Sequence, residues 1–369
     1  MVPYFITIIL MVIFSSAAQT TRRVDTNNQL SESEPASKIT SALLIAAVIP
    51  LVFTAGFRYE IGTDFNAYYK ADAIFGGNVW EKIKTLHEPG ISILVEIINL
   101  FSNDGAAYIF TFSFLTIVPT TYFLLRRSNN YTVILLLYVF CGCWHGIFNG
   151  VRQYLAATVI MFGYRYIQEK KFVKYAITVF IAYCFHSSAI VMIVPYFVMR
   201  GKINYRNIIL LALGTLLVSS NYDTLFSFIG AIKDKEVVMD TYATASVNIL
   251  RVLVNCAPAV LAVALYIKKD PTPEQTFYIN GLIINAAAMI AASNSTYLAR
   301  IGIYTSLFIP AGLPKLIRFE DKKMEKLLWV IIIALFAIFW YYEVSTYPSL
   351  NHFKWVWERE LMEGVLQWQ

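Results

Sequence analysis

Long apolar runs separated by short polar stretches organise this chain. Segments with few or no charges lie at 1–18, 39–57, 105–125, 131–147, 148–166, 172–185, 186–199, 207–220, 249–267, 276–293, 297–314 and 327–343. A helix needs about 20 apolar residues to cross a bilayer. The runs predict an all-α fold, a polytopic transmembrane helical bundle with roughly eleven or twelve membrane segments, some short or re-entrant. The runs on either side of His186 read as a re-entrant hairpin or as two tilted helices. Residues 88–101 are too short for a span and contain Glu96. Residues 65–86 mix Tyr68, Tyr69 and Trp80 with Lys70, Asp72 and Glu81, a pattern for a short amphipathic piece at the membrane surface.

Three regions follow from this pattern. Residues 1–38 are a first membrane helix and a polar loop, 39–345 the polytopic domain with loops near 58–86 and 221–248, and 346–369 a Trp-rich interfacial tail. Residues 1–18 end in small residues, as signal peptides do, but their start has no Lys or Arg, which favours a retained helix.

Composition agrees with a membrane chain. Of 369 residues, 57% are hydrophobic and 15% charged, against about 25% charged in soluble domains. Unbroken apolar runs exclude a β-barrel. The net charge of +6 fits basic cytoplasmic loops and implies no nucleic acid. Four Cys, all in apolar runs, read as small buried hydrophobes. No metal-ligand spacing, P-loop, HExxH or GxSxG is present, and no cofactor is expected.

Lys and Arg set the orientation. Arg165, Lys170, Lys171 and Lys174 mark one inside loop, Arg200, Lys202 and Arg206 a second, Lys268 and Lys269 a third, and Lys315 to Lys326 a fourth. Asn149, His186 and Ser295 then face outward. Arg126 and Arg127 must be inside, so 88–125 contributes one crossing, with 88–101 dipping in and returning.

Under this topology the polar exceptions converge. Asn149, Arg152 and Gln153 lie in an apolar run at helical spacing. An Arg at a membrane-helix centre costs about 2.5–3.5 kcal/mol on insertion scales, so such residues default to function. Arg58, Asp64, His186, Arg251, and the helical set Tyr297, Arg300 and Tyr304 fall on the same side. Snorkelling residues would scatter over both faces. Plainer readings remain: a packing knot for Arg152, a solvated turn for Asp64, a carbonyl-bonded ring for His186, lipid headgroups for Arg251. The planar guanidinium fork suits phosphate, and Asp64 or His186 suits removal of a proton from a hydroxyl.

Phe57-Arg58-Tyr59-Glu60-Ile61-Gly62-Thr63-Asp64 with Tyr68, then Glu88-Pro89-Gly90, then Phe148 to Ala156, then Phe185-His186-Ser187-Ser188-Ala189 occur in that order. The set resembles the EpsG branch of the Wzy-type polysaccharide polymerases over roughly 40–320. Arg300 with Tyr304 resembles the family's late Arg-x-x-x-Tyr. The resemblance implies a bacterial cytoplasmic-membrane glycosyltransferase that joins undecaprenyl-diphosphate-linked oligosaccharide units on the outer face, beside a flippase and a chain-length regulator. Combined with the residue reading above, Asp64, His186 and Arg300 are expected as catalytic residues and Arg58, Asn149, Arg152, Gln153 and Tyr304 as substrate-binding residues. The competing classes are a single-addition glycosyltransferase or polysaccharide acyltransferase, and a transporter or flippase of lipid-linked glycan. A transporter would place its charges near the midplane.

Overall fold

The computed structural model describes residues 1–27, 37–85, 88–128, 130–201, 247–294 and 296–359, with the side chains of 24–27 and 294–298 excepted. The expected run at 207–220, the loop 221–246, Ser295, the Tyr297 side chain and Trp368 lie outside this description.

The chain is a helical bundle. Its first half runs α1 (Val2–Asn27), α2 (Lys38–Gly56), α3 (Phe65–Tyr69), α4 (Ala71–Phe75), α5 (Val79–Lys84), α6 (Pro89–Asn99), α7 (Gly105–Leu125) and α8 (Tyr131–Phe140). Then come α9 (Val151–Phe162), α10 (Tyr164–Gln168), α11 (Phe172–Phe185) and α12 (Ile193–Val198). The later helices are Ile249–Tyr266, Pro273–Ala291, Thr296–Ser306, Phe308–Leu316 and Lys322–Thr346. Among the described residues, six helical stretches are long and apolar enough to cross a membrane, and four apolar helices are shorter. Tyr131–Phe148 is the most buried of the six, at 72%, so it forms the centre. Ile9, Ile13, Ile45, Ile49, Leu335 and Ile338 stay exposed on α1, α2 and the Lys322–Thr346 helix, as lipid-facing side chains must.

Four expected elements differ. The first helix runs to Asn27 instead of ending near residue 18, and the Thr20 and Thr21 hydroxyls donate to the Ser16 and Ala17 carbonyls one turn back. The 148–166 run breaks into α9 and α10 at Gly163, and 297–314 breaks at Leu307. Residues 65–84 form three short helices, and Phe65, Tyr68, Ala71 and Phe75 are buried against α6 and α7 rather than resting on the surface.

Both ends of α6 stay at one end of the bundle. Glu88, before it, meets Arg152 and Ser187, and Asn99, at its close, donates to Asp72. The α7 helix alone then leads to Arg126 and Arg127.

The tail is built into the fold. Residues Lys354–Trp355 pair antiparallel with Arg58–Tyr59. Gly62 N–H donates to Ser349 O (2.8 Å), and Lys354 meets Glu60 at 2.6 Å. Arg359 grips Asp104 at 2.8 and 2.9 Å and reaches the Tyr69 hydroxyl at 3.0 Å. Trp355 and Trp357 stack at 4.8 Å and Phe53 packs against both. This strap fixes the 58–64 loop from behind.

Candidate functional site: an arginine-centred cleft

The 58–64 loop, the start of α6 and the break between α8 and α9 meet at the strapped end of the bundle. Gly62 sits at φ +100°, and a Cβ there would lie 2.2 Å from the Phe148 carbonyl oxygen. Only glycine allows this approach. The contact lets Thr63 N–H donate to Asn149 Oδ1 at 2.8 Å, with the Thr63 hydroxyl 3.3 Å away. Asp64 follows directly. Asn149 therefore does not share a helix face with Arg152 and Gln153. It lies in the turn before α9, which starts at Val151, and its side chain anchors the loop.

Arg152 is held on three sides. Its Nε donates to the Tyr68 hydroxyl at 3.0 Å, one terminal nitrogen pairs with the Glu88 carboxylate, and the guanidinium lies 4.8 Å from the Phe75 ring centre. Glu88 is the residue the sequence reading missed. It sits in the left-handed region at φ 51°, a conformation costing about 1–3 kcal/mol for a side-chain-bearing residue and concentrated at functional sites. Pro89 starts α6 directly after it, and Gly90 brings α6 onto α11, where a Cβ would stand 2.9 Å from the Cys184 carbonyl oxygen. The signal was present: a charged residue inside an apolar run calls for a compensating partner, and Glu88 begins one of the recognised motifs.

A hydrogen-bonded row continues from Glu88. Its Oε1 accepts Ser187 N–H at 2.8 Å. Ser188 N–H donates to His186 Nδ1 at 3.2 Å, and the Ser188 hydroxyl is 2.8 Å from the same nitrogen. That hydroxyl meets Tyr304 OH at 2.9 Å and accepts from Gln153 Nε2 at 3.2 Å. A backbone N–H cannot accept, so Nδ1 is the accepting nitrogen and neutral His186 carries its proton on Nε2. His186 in this tautomer is a donor.

The electrostatics separate the two carboxylates. Burial pushes the Asp64 carboxyl upward most strongly, while Arg300, the Thr63 hydroxyl and Arg152 pull against it, and the net direction is up. Burial also raises Glu88, but Arg152, the Ser187 N–H and His186 outweigh it, and the net direction is down. Glu88 is a fixed anion and Asp64 the carboxylate nearer to exchanging a proton. The positive neighbours of Asp64 are Arg300 and Arg152.

Asp64, Arg152, Gln153, His186, Arg300 and Tyr304 are thus brought together, and Asn149 supports them. Arg58 is not part of the cleft. It is 1% exposed, its guanidinium donates to the Ala55 and Ile61 carbonyls and to Ser113 Oγ, and it lies 4.6 Å from the Phe148 ring. Those bonds make it a pin under the loop. Arg251 does not simply meet headgroups either: it pairs with Glu343 at 2.6 Å.

The fold and cleft define a polytopic helical membrane protein with a polar, arginine-centred site at one end of its bundle. The EpsG family model matches residues 41–356, and the chain belongs to that family. No curated protein and no solved structure matches it.

Proposed function

We infer that this protein is a membrane glycosyltransferase that polymerises undecaprenyl-diphosphate-linked oligosaccharide units, with its cleft on the outer face of the bacterial cytoplasmic membrane. The observation carrying this reading is Arg152, whose partly exposed side chain is set between a buried carboxylate and an aromatic ring and which acts on Asp64 together with a second arginine, Arg300. Family membership supplies the polysaccharide context. A diphosphate provides the anionic oxygens that a guanidinium fork binds bidentately. A transporter would carry its charges at the midplane, and this cluster lies at one end.

In the proposed reaction, a hydroxyl of an incoming lipid-linked unit attacks the anomeric carbon that joins the growing chain to its carrier. The new C–O bond forms as the bond to the diphosphate oxygen breaks, and undecaprenyl diphosphate departs with the electron pair. Asp64 accepts the hydroxyl proton. Arg152 and Arg300 hold the charge that develops on the leaving diphosphate. His186 donates through Nε2, and Gln153, Ser188 and Tyr304 keep its ring in that tautomer.

The test is the phenotype of Arg152→Ala combined with Glu88→Gln, which leaves no orphaned charge. Polymer should vanish and single repeat units accumulate on the carrier lipid at unchanged membrane protein level. Normal polymer would refute the reading, and capped single units in the wild type would favour the single-addition alternative.

A further inference from the structure

A second cluster at the same end of the bundle repeats the construction of the first. Arg251 starts the Ile249–Tyr266 helix and Glu343 closes the Lys322–Thr346 helix. Their side chains meet at 2.6 Å, with Arg251 38% exposed and Glu343 6%. The corresponding values for Arg152 and Glu88 are 26% and 9%. Each arginine faces a ring, Phe75 at 4.8 Å for Arg152 and Tyr347 at 5.5 Å for Arg251. Each glutamate divides its oxygens between the arginine and a second polar neighbour. For Glu88 that neighbour is Ser187 N–H, which donates at 2.8 Å. For Glu343 it is the His145 ring, whose Nε2 lies 3.5 Å away.

This division has a physical consequence. A buried carboxylate stripped of its only partner carries a desolvation penalty of several kcal/mol. A second polar neighbour lowers it, so either arginine can turn toward an external anion without leaving its glutamate alone. His145 is well placed for this: it is 4% exposed, and its Nδ1 has no hydrogen-bond partner among the described residues.

The clusters are linked through α9. Gln153 bonds to Ser188 in the first, while the Tyr154 hydroxyl, one residue on, packs against Gly146, the neighbour of His145 in the second. Adjacent residues of α9 thus reach toward both clusters. Two carrier lipids in one leaflet hold their diphosphates at similar depth, and a polymerising enzyme must hold two such lipids at once.

We propose that Arg251, backed by Glu343 and His145, is a second prenyl-diphosphate site, which binds the carrier of the incoming unit while Arg152 binds that of the growing chain. The assignment of the two carriers rests on the polymerase reading above; the anion site itself rests on the cluster.

The experiment counts farnesyl diphosphate molecules bound to the purified full chain by native mass spectrometry. The wild type should bind two. Arg251→Gln with Glu343→Gln, which removes both charges, should bind one, and so should Arg152→Gln with Glu88→Gln. Two molecules on the Arg251/Glu343 variant would overturn the proposal. A single wild-type molecule, lost only in the Arg152/Glu88 variant, would overturn it and leave the polymerase reading intact. Two on the Arg152/Glu88 variant with one on the other would remove Arg152 from the polymerase reading and keep this site. No binding to the wild type would overturn both. Should the double variant not fold, Arg251→Lys keeps the charge without the fork. It should weaken one of the two binding constants about tenfold or more and leave the other unchanged; two unchanged constants would overturn the proposal.

Discussion

Arg152 and Glu88 stand 64 positions apart in the chain and form one ion pair. Spacing marked Arg152 as costly inside an apolar run, and that reading needed only the residue and its surroundings. Its partner was hidden, because no local pattern links a carboxylate before α6 to a guanidinium on α9. Glu343 was hidden from Arg251 for the same reason. The base assignment also gains at this scale, since the tautomer of His186 leaves Asp64 as the proton acceptor. A base works only when ionised, and the Asp64 carboxyl is shifted upward by burial. Polymerisation should therefore fall as pH drops through a value above the ordinary carboxylate range. Asp64→Asn should cut turnover about 100-fold or more, the usual size of a general-base contribution, and abolish that acid limb. Turnover against pH for both proteins checks this. An acid limb that persists in Asp64→Asn at near-normal rate would pass the role to another group.

The helices were legible where hydrophobic patterning was long and even, as in α2, α7 and Lys322–Thr346. The breaks were not, because Gly163, Leu307 and the 3-10 turn at His145–Phe148 redirect the chain by packing rather than by a charge. The strap was the larger omission: a Trp-rich tail looks interfacial in sequence, and its pairing with Arg58–Tyr59 depends on distant backbone. The 58–64 loop is held between that strap and the Phe148 carbonyl, so Gly62 should tolerate no side chain. Gly62→Ala adds a Cβ at 2.2 Å from backbone at φ +100°, a strain costing about 1–3 kcal/mol. The variant should melt several degrees lower and lose about tenfold or more in activity as Asp64 moves. Thermal unfolding and turnover on the same preparation check both parts, and wild-type values in both would show that the loop is not held as described.

At the scale of the whole molecule, one end of the bundle carries Asp64, Glu88, Arg152, His186, Arg251 and Arg300, while Arg126, Arg127, Lys171 and Lys323 belong to the basic loops. In the proposed orientation the basic loops lie in the cytoplasm, as the positive-inside rule expects, and the site faces outward. Cysteine at Thr63, in a chain without its native cysteines, should react in intact cells with a membrane-impermeant thiol reagent. Cysteines at Lys171 and Lys323 should react only after lysis. The reverse pattern would invert the topology and remove the cleft from outward-facing substrate.

The most direct test of the central claim is conversion by the purified protein itself. Proteoliposomes supplied with one defined undecaprenyl-diphosphate-linked repeat unit would be followed for glycan length and for free carrier diphosphate. The account predicts a ladder of products, one carrier diphosphate released for each bond formed, and a rate about 100-fold or more lower in Arg152→Lys at equal protein. No conversion by the wild type, or an undiminished ladder from Arg152→Lys, would contradict it.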